Sequence, residues 1–311
     1  MQEQPIIPPV DRGLIEAELT PDKLIRKTNA GNNHIYIVNY HNAPNVTREL
    51  GRLREITFRD AGGGTGLECD LDDFDTGENP FQQLLVWNPV ERDIIGGYRF
   101  IDCNKLTLGK DGAYHTPTLK LFHYSNKFVE EYLPYTIELG RSFVQPNYQP
   151  ANNIRKGMYS LDNIWDGLGA LVHLYPENRY FFGKITMYPD FDRTSRDLIL
   201  FFMNKYFHDP DRLVFPIEAL KADTPYDELE AAFPFNEYEK DYKALIQKVR
   251  QRGEHIPPLV NAYMNLSSTM RYFGTAINHD FGAVEETGII VTISDIYNIK
   301  LERHIKTGPG V

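Results

Sequence analysis

Thr136-Ile-Glu-Leu-Gly-Arg-Ser-Phe-Val144 is the stretch on which the fold turns. Its apolar residues and the stop at Pro146 predict a β-strand. Glu138 and Arg141 are out of place in such a strand, and at regular spacing they face opposite sides of the sheet. Two arrangements are open. A β-bulge at Gly140 would turn both charges to one face and release backbone N–H groups for an oxyanion or a ligand carbonyl. Otherwise this is an edge strand with one glutamate, one arginine and a packing glycine.

Working outward, residues 34–40 alternate and are β-branched, which predicts a strand. Residues 42–45 supply turn and cap residues. A helix from Val46 carries Val46, Leu50, Leu53 and Thr57 on one stripe until Gly62-Gly63-Gly64 stops it. Residues 84–87 and 94–101 read as a hairpin across Asn88-Pro89, and residues 122–131 as a helix. Beyond a polar loop at 152–157, Leu161, Ile164, Trp165, Leu168, Leu171 and Val172 recur at helical spacing. Tyr180–Met187 predicts a strand, residues 193–207 and 238–252 helices, Pro257-Pro258 the start of a helix to about Met270, and residues 288–293 a late strand. A hairpin amid alternating strands and helices favours a mixed sheet with helices on its faces over a parallel, doubly wound one. Residues 1–20 read as an arm and residues 205–258, with their prolines and acidic block, as a helical insertion or lid.

Three further islands place charge beside apolar residues. Arg54 and Phe58 are four apart on the predicted helix and share a face. The ordinary reading of that pair is a solvated arginine and a core phenylalanine. Asp70-Leu-Asp72-Asp73-Phe74-Asp75 puts four carboxylates into six residues. It lacks the glycine and distal glutamate of a calcium loop, so it is either an exposed acidic turn or a set of carboxylates that holds an arginine or an amine. Arg99, in Gly96-Gly97-Tyr98-Arg99-Phe100, must reach solvent or pair with a carboxylate, because an unpaired buried guanidinium is very costly. Asp72 and Asp75 are its candidate partners.

At 311 residues the chain can bury a large core without disulfides. Its hydrophobic share of 41% and charged share of 24% are those of a globular protein. A net charge of −10 argues against a nucleic-acid partner. Cys69 and Cys103 form no metal or redox motif. There is no run of about 18 apolar residues to span a membrane, and residues 1–13 show no signal-peptide core. The expected location is therefore cytoplasmic, with peripheral contact on the inner face of the membrane left open.

The order Arg54…Phe58, Asp72…Asp75, Arg99, Glu138…Arg141 resembles the acyl-homoserine lactone synthases. It resembles more closely their relatives, the "hemolysin-like" ornithine and amino-acid N-acyltransferases of bacterial aminolipid synthesis. Glu-Leu-Gly-Arg-Ser with Val144-x-Pro146-x-Tyr148, Arg179-Tyr-Phe-Phe-Gly183, the run from Ile256 to Tyr263 and Ala276-Ile-Asn-His-Asp280-Phe-Gly282 carry the likeness through the chain. The resemblance implies an α+β GNAT-like fold: a mixed, mostly antiparallel, splayed sheet with helices on both faces, as a single acyltransferase domain over residues 21–311. It implies transfer of a long-chain, 3-hydroxy fatty acyl group from acyl carrier protein to the amino group of ornithine or glycine, with no metal and no resident cofactor. The loop Asn153-Ile-Arg155-Lys156-Gly157-Met158 fits the phosphate loop of the acetyl-CoA-using relatives only in part, which suits a carrier-protein donor better than acyl-CoA. A lactone synthase and a non-enzymatic, membrane-active hemolysin are the alternatives.

Under this resemblance Glu138, the candidate base, and Arg141 are the catalytic pair. Arg54, Phe58, Asp72, Asp75 and Arg99 form the acceptor-site network. Phe143 and Val144, as oxyanion donors, and Arg155, Lys156 and Gly157 bind the acyl donor.

Overall fold

The computed structural model describes residues 3–110 and 112–305. Residues 1 and 2 of the predicted arm, and residue 111 and residues 306–311 of the predicted domain, lie outside the described residues. In chain order the strands are β1 (Leu24–Lys27), β2 (His34–Val38), β3 (Gln82–Asn88), β4 (Asp93–Asp102), β5 (Phe122–Tyr124), β6 (Thr136–Val144), β7 (Tyr180–Met187), β8 (Val214–Pro216), β9 (Arg271–Asn278) and β10 (Val284–Thr292). The α-helices are α1 (Arg12–Glu18), α2 (Pro44–Asp60), α3 (Asp73–Thr76), α4 (Ile154–Gly157), α5 (Ser160–Leu174), α6 (Arg193–Tyr206), α7 (Tyr226–Ala231), α8 (Tyr238–Gln251), α9 (Pro258–Met264) and α10 (Asn298–His304). Among the described residues no helix is long and apolar enough to cross a membrane.

The described residues group into two compact units. Among the described residues, the first unit comprises those up to Pro117, Tyr135–Arg179 and those from Tyr297 to residue 305. Its strands pair in the order β1-β2-β3-β4-β6, antiparallel throughout. Helices cover both faces of this sheet. From α2, Arg54 reaches Gln83 of β3, whereas Gly167 of α5 lies against Leu84 and Tyr98. Gln83 and Leu84 are successive strand residues and point to opposite faces. The hairpin turn forms as its sequence predicts, with the Asn88 side chain accepting from the N–H groups of Val90 and Glu91 at 3.0 and 3.1 Å.

The second unit comprises Thr118–Pro134 and Tyr180–Ile296. Here β10 lies between β7 and β9, antiparallel to both, and β5 pairs with β8. The 205–258 stretch supplies β8, α7 and α8 to this unit.

Three predicted elements differ. The helix expected over 122–131 is instead β5, followed by a wide helical turn at Phe128–Tyr132. Pairing with β8 draws Phe122 into a strand, and Phe128 is buried against Phe182 with ring centroids 5.2 Å apart. The helix opened by Pro257-Pro258 ends at Met264, where the Asn265 side chain donates to the Asn261 carbonyl at 2.8 Å. The arm contains α1, whose Ile15 is buried and whose Glu18 carboxylate caps α2 by accepting from the N–H groups of Asn45 and Val46.

Candidate functional site

Three short elements of the first unit bring the charges together. On α2, Gly51 and Arg54 lie one turn apart. With no Cβ at Gly51, the segment at Cys69–Leu71 lies close against the helix, and the Asp70 N–H donates to the Gly51 carbonyl at 3.1 Å. Asp72 and Asp75 then form the capping box of α3, with Asp72 Oδ1 accepting from Phe74 N–H and Asp75 Oδ2 from Asp72 N–H. The acidic stretch is therefore a folded cap.

Into it run two buried arginines. Arg54 forks onto Asp75, Nη1 to Oδ1 at 3.2 Å and Nη2 to Oδ2 at 2.9 Å. Its Nε lies 3.2 Å from Asp70 Oδ2, and its Nη2 also donates to the Asp70 carbonyl. Arg99 of β4 forks onto Asp72 at 2.7 and 3.0 Å and reaches Asp75 at 2.8 Å. The predicted pairing of Arg99 is thus present with both carboxylates. Gln83 completes the shell of Asp75 with a 2.8 Å bond. Asp70 and Gln83 were not assigned to the site from sequence. Gln83 had a usable signal, a glutamine within a strand that is otherwise apolar at its centre.

Strand β6 supplies the rest. Along β4–β6, Arg99 pairs with Gly140 and Gly97 with Phe143, so Arg141 and Ser142 together oppose Tyr98. This is a β-bulge. It lies one residue later than expected, and the left-handed residue is Arg141, at φ +53°, not Gly140. Gly140 keeps regular pairing opposite Arg99, and Arg141 takes the left-handed conformation, with its Nε 3.0 Å from Asp70 Oδ2. Glu138 pairs with Ile101, two residues from Arg99, and so shares the face of the ion network. It is buried.

Three guanidiniums and three carboxylates balance in this cluster. Burial would raise the Asp75 carboxyl, but Arg54 and Arg99 outweigh it and hold the group well below the usual carboxylate range. Burial likewise opposes the charges of Arg99 and Arg54, and the neighbouring aspartates more than compensate. Arg141 is shifted the other way. Burial and the like charges of Arg99 and Arg54 exceed the pull of Asp70, although a guanidinium stays charged. Burial pushes the Cys69 thiol up to about 11 and holds Cys103 well above its ordinary value, so neither is an activated nucleophile. Among the described residues no group of His, Cys, Asp and Glu is arranged to hold a metal ion.

The remaining predicted residues lie in the same unit. Phe58 is buried on α2. Phe143 is buried opposite Gly97, and Val144 lies opposite Gly96, where a Cβ would come within 2.3 Å of the Phe143 carbonyl oxygen. Arg155 and Lys156 are exposed on α4, with Lys156 Nζ 3.0 Å from Glu91. Gly157 is buried, its Cα so close to Gln149 and Pro150 that a Cβ would lie 2.4 Å from the Pro150 nitrogen.

Residues 53–156, which contain all of these except Gly157, match the family described as acetyltransferase (GNAT) domain. The chain is 53% identical over 302 residues to a glycine N(alpha)-acyltransferase of Bacteroides thetaiotaomicron, covering 97% of this chain and 90% of that protein. The chain belongs to the GNAT-fold amino-acid N-acyltransferases. A glycine N(alpha)-acyltransferase of Phocaeicola vulgatus is 50% identical over 302 residues, covering 97% of this chain and 93% of that protein. No solved structure matches the chain. As an amino-acid N-acyltransferase, the protein needs a site where an amine meets an acyl donor.

Proposed function

We propose that this acyltransferase moves a long-chain, 3-hydroxy fatty acyl group from acyl carrier protein to the amino group of glycine, at the cytoplasmic face of the membrane. The observation that carries the reading is the buried Glu138 on the same sheet face as the balanced ion network, next to the bulge. The names of the two relatives support glycine over ornithine as the acceptor.

The chemistry runs as follows. Glu138 takes a proton from the acceptor ammonium, directly or through one water, because only the neutral amine is nucleophilic. The nitrogen lone pair attacks the thioester carbonyl, and the N–H groups of Phe143 and Val144 stabilise the oxyanion. Collapse forms the amide, breaks the C–S bond and expels the pantetheine thiolate, which takes up the second proton that the attacking nitrogen loses. Arg54, Phe58, Asp72, Asp75, Arg99 and Arg141 shape the acceptor side. Arg155, Lys156 and the turn at Gly157 receive the carrier.

Purified enzyme given 3-hydroxyacyl carrier protein or the matching acyl-CoA, with glycine or ornithine, tests this by mass spectrometry of the product. N-acylglycine formed faster from the carrier protein is expected. Acylation of ornithine alone, or a preference for acyl-CoA, would overturn the corresponding part. Glu138→Gln should lower kcat by about 10²- to 10⁴-fold, partly restored at higher pH as neutral amine accumulates. A near wild-type rate at neutral pH would remove Glu138 as the base.

A further inference from the structure

The six ions of the network differ in their access to solvent. Arg54, Arg99, Asp70 and Asp75 are shut away, whereas the Asp72 side chain is 30% exposed and that of Arg141 is 17% exposed. The open members are thus one anion and one cation. They belong to one patch, since Arg141 meets Asp70, two residues before Asp72, and Arg99, paired opposite Gly140 beside it, forks onto Asp72. Buried partners fix both. Asp72 is clamped by the fork of Arg99 and by its cap on α3, and Arg141 is turned into place by the left-handed bulge and by Asp70. A carboxylate has about four acceptor positions. Phe74 N–H and the two Arg99 bonds occupy three of those on Asp72.

An internally neutral cluster that opens to solvent through one charge of each sign complements a ligand of the same kind. Such a ligand is a small zwitterion. We propose that the acceptor binds as the free amino acid, its carboxylate on the guanidinium of Arg141 and its ammonium on Asp72, on the sheet face that also carries Glu138. This rests on the reading of the protein as an amino-acid N-acyltransferase and names how the acceptor is recognised. The strain at Arg141 then has a role, because a regular strand would put position 141 on the other face. Arg141 is a specificity-determining residue. It selects acceptors with an intact α-carboxylate and takes no proton itself, while the proton passes from the ammonium to Glu138.

The test compares glycine with glycinamide, which keeps the amine and loses the carboxylate charge. Wild-type enzyme should prefer glycine by about 10- to 100-fold in kcat/KM, the range of one charge-assisted contact. Arg141→Gln should collapse that ratio toward one, with the loss for glycine carried in KM, and Arg141→Lys should restore part of it. Asp72→Asn should raise KM for both amines. Equal use of glycine and glycinamide by the wild type would overturn this assignment while leaving the N-acyltransferase reading intact, whatever the variants do. So would an Arg141→Gln protein that lowers kcat for both amines and keeps their ratio. Failure of the wild type to acylate either amine would overturn the functional reading itself, and this assignment with it.

Discussion

Asp75 is the residue on which the cluster is centred, since Arg54, Arg99 and Gln83 all donate to it. Removing one partner of a buried ion pair leaves uncompensated charge and costs about 3–5 kcal/mol. Asp75→Asn should therefore lower the midpoint of urea unfolding at pH 7 by a corresponding amount, while Asp73→Asn, outside the network, should not. The pH dependence has a definite sign. The folded-state carboxyl sits below its ordinary value of 3.8, so its contribution to stability is present above about pH 4. It is lost as the pH falls from there through the folded-state pKa. In Asp75→Asn this part of the acid sensitivity should vanish, which urea titrations from about pH 5 down to about pH 2 can read.

At the scale of the element, α2 carries Arg54 to its place but has no side-chain cap of its own at Ala43. Glu18 of α1 replaces it, accepting from two backbone N–H groups and from the Asn45 amide. A carboxylate at this end also suits the helix dipole. Glu18→Ala should cost about 1–2 kcal/mol, the usual range for a lost cap, measured by chemical denaturation. The β4–β6 pairing depends on Gly96 in a different way. An added methyl would strike the Phe143 carbonyl of the facing strand. Gly96→Ala should therefore destabilise the sheet despite the entropy an alanine saves in the unfolded chain.

At the scale of the whole molecule, the first unit is assembled from three chain segments, and the last returns only after the second unit has been traversed. α10 closes it. His304 Nδ1 meets the buried Asp166 at 2.8 Å, and Gly169 of α5 approaches so closely that a Cβ would lie 2.0 Å from the His304 carbonyl oxygen. Gly169→Ala should push α10 off α5, lower the Tm and speed proteolysis of the chain end. Donor encounter also belongs to this scale. For the proposed carrier-protein donor, an acidic partner would meet a chain of net charge −10 against long-range repulsion, so docking would need a local basic patch. Reversing Arg155 and Lys156 to glutamate should raise KM for the carrier and flatten its salt dependence. An unchanged salt dependence would exclude α4 as the docking point.

Local chemistry alone determined much of this protein. The hairpin at Asn88-Pro89, the helix ended by three glycines and the long helix after residue 157 follow from short-range periodicity and turn residues. The pairing of Arg99 followed from the cost of burying an unpaired guanidinium. Charges inside a strand marked Glu138 and Arg141. Tertiary structure decided the rest, because it depends on register and on segments distant in sequence. The bulge falls at Arg141 since Gly140 is held opposite Arg99, and no local pattern states that register. Asp70 joins the site through long-range contacts with Gly51, Arg54 and Arg141, and residues 122–124 become a strand only because residues 214–216 lie beside them. Solvent access to Asp72 and Arg141, which singles them out within the network, is likewise a property of the folded surface that sequence spacing does not carry.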